Sequence, residues 1–458
     1  MNIDDITAIM ENRYSIDCVQ MMLEPQLAGT VGKAHRGMGF ISQDPDGSFS
    51  LKMYCIGDIS PQDVFARSFD WKAGELIHED YYYKLTASDI RGRQWEAKWI
   101  IPDISLGPEP QRYIVGGNIG EFSHSTDLSH VSAYYAGIYI PGNISIPCGM
   151  GSAIEKMVNG QQRSLSTNLN IAKFSACNID FEIEKNVNWL IINVQSNAPI
   201  NDALLVRIIE SLQFVLAKSL SWSIIELIHD KTIKVRIRPC LRNDNKSRIE
   251  PPIQFQSVDP SNKVWTLFGK FLNHTKQYDK LLWHPIFRWI RAVIESGYSL
   301  DAESLMLSVA IEGLIRERFN NLDYRNAELQ SQINKARCVI TRSELEPDFK
   351  NRIFSLLGNM LKPRAKDSLH ILKDQNLLDV RLLEEYSKLR NSSAHGELAD
   401  SSKFQVHLDR CAAVLVLFYH LVFIAINYSG PYTDYSSRNY PEKGFTIDTV
   451  LSQPSSQP

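Results

Sequence analysis

The stretch Tyr386-Ser387-Lys388-Leu389-Arg390-Asn391-Ser392-Ser393-Ala394-His395-Gly396-Glu397 decides how the second half of the chain is read. Just before it and into it, Leu378, Leu382, Leu383, Tyr386 and Leu389 recur at steps of mostly three and four residues. That is the spacing of an amphipathic helix with one face on a core. Arg390 falls at the edge of the stripe. Asn391, Ser392 and Ser393 compete for backbone hydrogen bonds and Gly396 tolerates left-handed geometry, so the helix is expected to stop here, with a new one starting near Asp400 or Ser401. His395 would then project from a turn beside Arg390. A guanidinium that keeps its charge, next to an imidazole that titrates near neutrality, suits phosphate chemistry.

Spacing alone is weak, because with 11 histidines about two Arg-to-His pairs separated by four to six residues arise by chance. Two are present. The second, Arg364 to His370 in Lys362-Pro363-Arg364-Ala365-Lys366-Asp367-Ser368-Leu369-His370, sits at a helix start after Pro363 and lacks the small polar turn, so it reads as a decoy. Lys362, Arg364 and Lys366 form a basic cluster, either a solvated turn or a rim that contacts phosphates, and Lys388 adds a further cation near Arg390.

Working outward, helical patterns fill 265–295, 301–319, 327–339, 347–361, 377–390 and 402–427. Glu312 shares a face with Leu305, Val309 and Ile315, where an inward carboxylate needs a partner: a structural salt bridge, or one that orients Arg390 or His395. His420, among Phe418, Tyr419 and Leu421, reads as a packed core histidine. Residues 1–240 look different. Asp44-Pro45-Asp46-Gly47 is a hairpin signal, and 81–102, 131–147, 178–194 and 232–238 are β-branched and aromatic runs, with one helix at 201–220. The expectation is an α+β chain: a mostly β N-terminal domain over 1–240, a polar linker over 241–264, a helical domain over 265–430 and a poorly ordered tail over 431–458.

These residues resemble the HEPN domains, in particular the Apea-like HEPN ribonucleases of bacterial anti-phage defence, over about 265–430. Such domains are helical bundles with an arginine and a histidine four to six residues apart and a polar residue after the arginine; Arg390, Asn391 and His395 fill those slots. Glu312, in Ala310-Ile311-Glu312-Gly313-Leu314, is similar to the acidic residue that many of them carry on an early helix. The resemblance implies an endoribonuclease acting as a toxin in abortive infection, without metal or other cofactor, as a homodimer or higher symmetric oligomer. It also implies a sensor or regulatory role for the N-terminal half, with a phage-derived trigger as its partner. In such an enzyme His395 is the general base toward a ribose 2′-hydroxyl and Arg390 stabilises the phosphoryl charge, so only RNA serves. The leaving-group acid is missing from one chain; a dimer pairing two His395 across a 411–426 helix would supply it. The alternative is a non-catalytic dimerisation or nucleotide-binding scaffold with a partner-binding β domain.

Other features narrow the choice. A formal charge of -3 gives no overall basic field, so nucleic-acid binding requires a local patch. Seven cysteines without a Cys-x-x-Cys pair read as reduced core residues of a cytoplasmic protein. No signal peptide is expected, and the apolar run 411–426, about sixteen residues, is short of a membrane span and reads as a buried or interface helix. Gly116-Gly117-Asn118-Ile119-Gly120 and Gly149-Met150-Gly151 read as turns, and His124, Asp127 and His130 as a surface loop rather than a metal site.

Overall fold

Alternation of buried and exposed residues along Phe49–Ile56, with Phe49, Leu51, Met53 and Cys55 all inside, marks a strand with one face on a core. The computed structural model describes the chain apart from residues 28–31, 60–75, 108–110, 128–132, 149–153, 159–160, 166–169, 230, 241–248, 256–258, 320–321, 323–326, 361–364, 395–403 and 448–458, with the side chains of 154–165, 327–328 and 392–394 also left aside. It is α+β, with a large antiparallel sheet followed by helices. Two compact units result, Met1–Leu205 with Leu220–Asp244, and Val206–Ser219 with Asn245–Pro458.

In the first unit, helix α1 (Ile3–Met10) precedes β1 (Ser15–Pro25), β2 (His35–Gln43), β3 (Phe49–Ile56), β4 (Tyr83–Asp89), β5 (Gln94–Ile100), β6 (Asp103–Leu106), β7 (Arg112–Ile119), β8 (Phe122–Asp127) and β9 (Tyr134–Pro141). The hairpin β10 (Ile154–Val158) and β11 (Gln161–Leu165) stands apart, and β12 (Ile171–Ala176), β13 (Ile179–Lys185), β14 (Trp189–Ser196), β15 (Ile224–His229) and β16 (Thr232–Ile237) complete the set. Fourteen described strands pair in the order β12-β13-β14-β9-β15-β16-β8-β5-β4-β1-β2-β3-β7-β6. The Asp44 to Gly47 turn joins β2 to β3 as the sequence predicts. Gly47 takes φ +89°, and a Cβ there would meet the Cys240 carbonyl oxygen at 2.3 Å. Gly116 and Gly117 are not in a turn: they lie inside β7, paired with Lys52 and Leu51. Gly149 to Gly151 lie outside the described residues.

The second unit takes most of helix α2 (Asp202–Leu216), followed by α3 (Pro260–Thr275), α4 (Pro285–Ser296), α5 (Leu300–Arg318), α6 (Ala327–Arg342), α7 (Pro347–Met360), α8 (Ala365–Asp374), α9 (Val380–Ala394) and α10 (Phe404–Ala425). Helix α5 is the hub, packing on α4, α8, α9 and α10. Ser299 caps it, accepting from Ala302 N at 3.1 Å, with Asp301 and Glu303 in the first turn and Arg316 and Arg318 in the last. Gly313 sits where the Trp289 ring of α4 comes closest; a Cβ there would lie 2.2 Å from the ring.

Several sequence expectations are corrected here. The 265–295 helix is two helices, because Pro285 cannot continue a helix and instead starts one, with His284 Nδ1 accepting from Ile286 N. Residues 206–219 belong to the helical unit: Arg207 and Glu210 are fully buried, Arg207 donating to the Leu282 carbonyl at 2.6 Å and Glu210 accepting from His284 N at 2.8 Å. The linker is not a free spacer, since Ile249 and Ile253 are buried and α3 begins at Pro260. The tail is ordered well past 431: β17 (Gly430–Thr433) pairs with β18 (Glu442–Phe445), and Tyr432, Tyr435 and Phe445 are buried.

Helix α10 is 22 residues long and apolar enough to cross a bilayer by length and composition, longer than the run read from the sequence, but 72% of its apolar window is buried in the chain. Cys411 and the residues from Ala413 to Ile424 are core, so the helix is buried, one of the two readings the sequence allows. His420 is the packed core histidine the sequence suggests, lodged among Phe423, Tyr432 and Phe445. Burial pushes its imidazole down to about 4.

Candidate functional site

Helix α8 places Lys366, His370 and Lys373 at steps of four and three residues, hence on one face. It ends where Asn376 adopts φ +58° and Leu377 N returns to the Leu372 carbonyl at 3.0 Å. The chain then re-enters a helix at Asp379, whose carboxylate accepts from Arg381 N at 2.9 Å. On α9, Val380, Leu383, Glu384, Ser387, Arg390 and Asn391 form the matching stripe. The expected break after Arg390 does not occur there: Asn391 to Ala394 remain helical, because side-chain competition from one asparagine and two serines is too weak to stop a helix already packed on α5 and α10.

Between these two faces lies a cleft of about 1160 Å³, with Glu312, Ile315 and Arg316 of α5 also in its lining. Its apolar surface includes Ile315, Leu369, Leu383 and Tyr386, all buried. Among the described residues, its charged lining is Arg316, Lys366, Lys373 and Arg390 against Glu312 and Glu384, four cations to two carboxylates in a chain of net charge -3. Arg316, Lys366, His370 and Arg390 are exposed.

Arg390 donates through Nε to Glu312 Oε1, and its side chain remains half exposed, at 51%. That hydrogen bond, followed by the charge of Glu312, raises the arginine pKa further. Glu312 therefore pairs with Arg390, one of the two partners the sequence offered, while Leu305 and Val309, expected beside it on a core face, are exposed. Burial, followed by the negative charge of Glu312, pushes up the pKa of the Tyr386 phenol, and Arg390 opposes that shift.

Asn391 lines the cleft next to Arg390, as does Lys366. Lys388 does not: it is held by Glu385 at 2.6 Å, a carboxylate shared with Arg410 at 3.2 Å. His395, Lys362 and Arg364 lie outside the described residues. Sequence reasoning missed Arg316, Lys373 and His370. The signal was present, since Lys366, His370 and Lys373 are spaced for one helical face, but His370 was weighed only as the end of an Arg-to-His pair.

Elsewhere, His124 is not on a loop but inside β8, buried against Trp95 with ring centroids 4.4 Å apart, and burial lowers its pKa to about 4. Asp127 ends the same strand, exposed, and His130 is outside the described residues. Among the described residues, no group of three or more His, Cys, Asp or Glu side chains is placed to hold a metal ion.

No protein-family model, curated protein or solved structure matches this chain.

Proposed function

We propose that this protein is an endoribonuclease of the HEPN type that cleaves RNA by attack of a ribose 2′-hydroxyl, using side chains rather than a bound metal ion. The observation that carries the proposal is Arg390, anchored by Glu312 yet half exposed, lining a cleft whose described residues include more cations than carboxylates. In the reaction, His395 takes the 2′ proton. Arg390 stabilises the charge that builds on the phosphoryl oxygens, and Arg316, Lys366 and Lys373 hold the neighbouring phosphates. The products are a 2′,3′-cyclic phosphate and a 5′-hydroxyl. The resemblance, rather than any residue of the cleft, suggests a cytoplasmic role in anti-phage defence, with the N-terminal unit restraining the nuclease until it meets a phage-derived trigger.

Purified wild type, Arg390→Ala and His395→Ala chains incubated with labelled RNA test this. The expected result is cleavage by the wild type alone; undiminished cleavage by either variant defeats the assignment. One observation favours a second reading. Arg390 is already paired with Glu312, as a non-catalytic scaffold tying α9 to α5 would have it. In that case Arg390→Ala lowers stability, and the wild type leaves RNA intact.

A further inference from the structure

Helix α9 turns Leu382, Leu383 and Leu389 inward, all of them buried, and a phenylalanine would serve the same row. The chain carries Tyr386 there instead. It is only 4% exposed, and its hydroxyl closes no hydrogen bond among the described residues. A buried hydroxyl without a partner costs stability that a phenyl ring would not, so its presence calls for a reason other than packing.

We infer that Tyr386 is a positioning residue of this cleft, its phenol bracing the Arg390 guanidinium from the buried side as that guanidinium engages a phosphoryl group. The inference rests on the ribonuclease reading above. Three observations lead to it. Tyr386 and Arg390 stand four residues apart on α9, neighbours on one helical face, and both line the cleft. The two side chains are close enough to act on each other's ionisation: Glu312 has the largest influence on Arg390 and the phenol adds to it, while on the phenol Arg390 acts after burial and Glu312. Glu312 accepts from Nε, and a phenol oxygen is able to accept from an Nη of the same guanidinium.

Held at Nε by the carboxylate and at an Nη by the phenol, the planar fork cannot turn about its last bond. The edge it presents to substrate then stays fixed while charge builds on the phosphoryl oxygens. The phenol contact is open in this structure and closes only as the guanidinium meets phosphate, so it favours the transition state over the bound substrate. Burial, followed by the charge of Glu312, keeps the phenol protonated, and no proton transfer is asked of it.

The test combines steady-state cleavage of labelled RNA with urea unfolding for the wild type, Tyr386→Phe and Arg390→Ala chains. Tyr386→Phe is expected to lower kcat by about 10- to 100-fold, the range of one hydrogen bond to a charged group, and to leave KM within about twofold. Its urea midpoint is expected to equal or exceed that of the wild type, because the variant loses only a hydroxyl that had no partner. A merely structural tyrosine gives the reverse pattern. An unchanged kcat, a change confined to KM, or a lowered urea midpoint overturns the positioning role, and the ribonuclease reading survives as long as the wild type cuts RNA and Arg390→Ala is impaired. A wild type that leaves RNA intact overturns both.

Discussion

The Arg390 side chain is both held and available. Glu312 fixes the guanidinium through Nε, while half of the side chain stays open to solvent. An arginine keeps its charge at any working pH, so Glu312 supplies orientation rather than protonation. Glu312→Gln keeps the shape and removes the charge. It is expected to lower the RNA cleavage rate while leaving the substrate concentration at half-maximal rate nearly unchanged, and the loss should be smaller than the roughly 10²- to 10³-fold typical of deleting a transition-state donor. Steady-state kinetics check this; a rise in KM at constant kcat would instead assign Glu312 to substrate binding. At this scale the spacing that set Glu312 toward Arg390 and Asn391 beside it agrees with where the fold places them, paired or lining one cleft. For Lys388 the local signal was Glu385 three residues earlier on the same helix, an i,i+3 pair that holds the lysine away from the cleft lining. The sequence did not reveal Arg316, whose exposure at the cleft follows from how α5 is rotated against its neighbours.

Helix α8 contributes Lys366, His370 and Lys373 to the cleft from one face. Its Lys366, His370 and Lys373 were legible as a stripe, yet a search built on Arg-to-His spacing passes over a stripe that contains no arginine. If Lys366 contacts a phosphate, Lys366→Gln should weaken RNA binding about equally for all sequences and reduce the slope of log affinity against log salt by about one. Fluorescence anisotropy of labelled RNA between 50 and 200 mM salt, a window in which about six to ten phosphate contacts lose several decades of affinity, measures it. An unchanged slope would leave Lys366 as a solvated lysine. Periodicity located most helices, and their ends were set by local chemistry: His284 and Pro285 start α4, and Asn376 stops α8. The persistence of α9 through Asn391 and Ser392 was the reverse case, with packing outweighing local preference.

The β-then-helical order of the whole chain followed from its change of period, but membership of each unit did not. The apolar stripe of α2 says that the helix is buried without saying in which core; buried Arg207 and Glu210, tied to the 282–284 segment, decide it. The helical unit also carries histidines held neutral by burial, His274 and His420 pushed down to about 4 and His284 to about 3. Because the unfolded chain binds protons that these buried rings refuse, their contribution to stability is complete above about pH 6.5 and is lost as pH falls toward 4. Between pH 7 and 5 one such ring costs about 2 kcal/mol. Asp434 and Asp379 face His420 and favour its charged form, while burial and Lys443 oppose it. The urea midpoint of the helical signal should therefore fall over that interval, and fall less in His420→Phe. A midpoint constant from pH 7 to 5 would contradict the buried neutral assignment.

The most direct measurement on the cleft compares one labelled RNA with a copy carrying a single 2′-deoxy sugar at the cleaved position, with the product ends identified. A cleft that works through the 2′-hydroxyl predicts that the wild type cuts the RNA to a 2′,3′-cyclic phosphate and a 5′-hydroxyl and leaves the deoxy-substituted copy intact at that position. Cleavage of both copies there, or products with a 5′-phosphate, would contradict it.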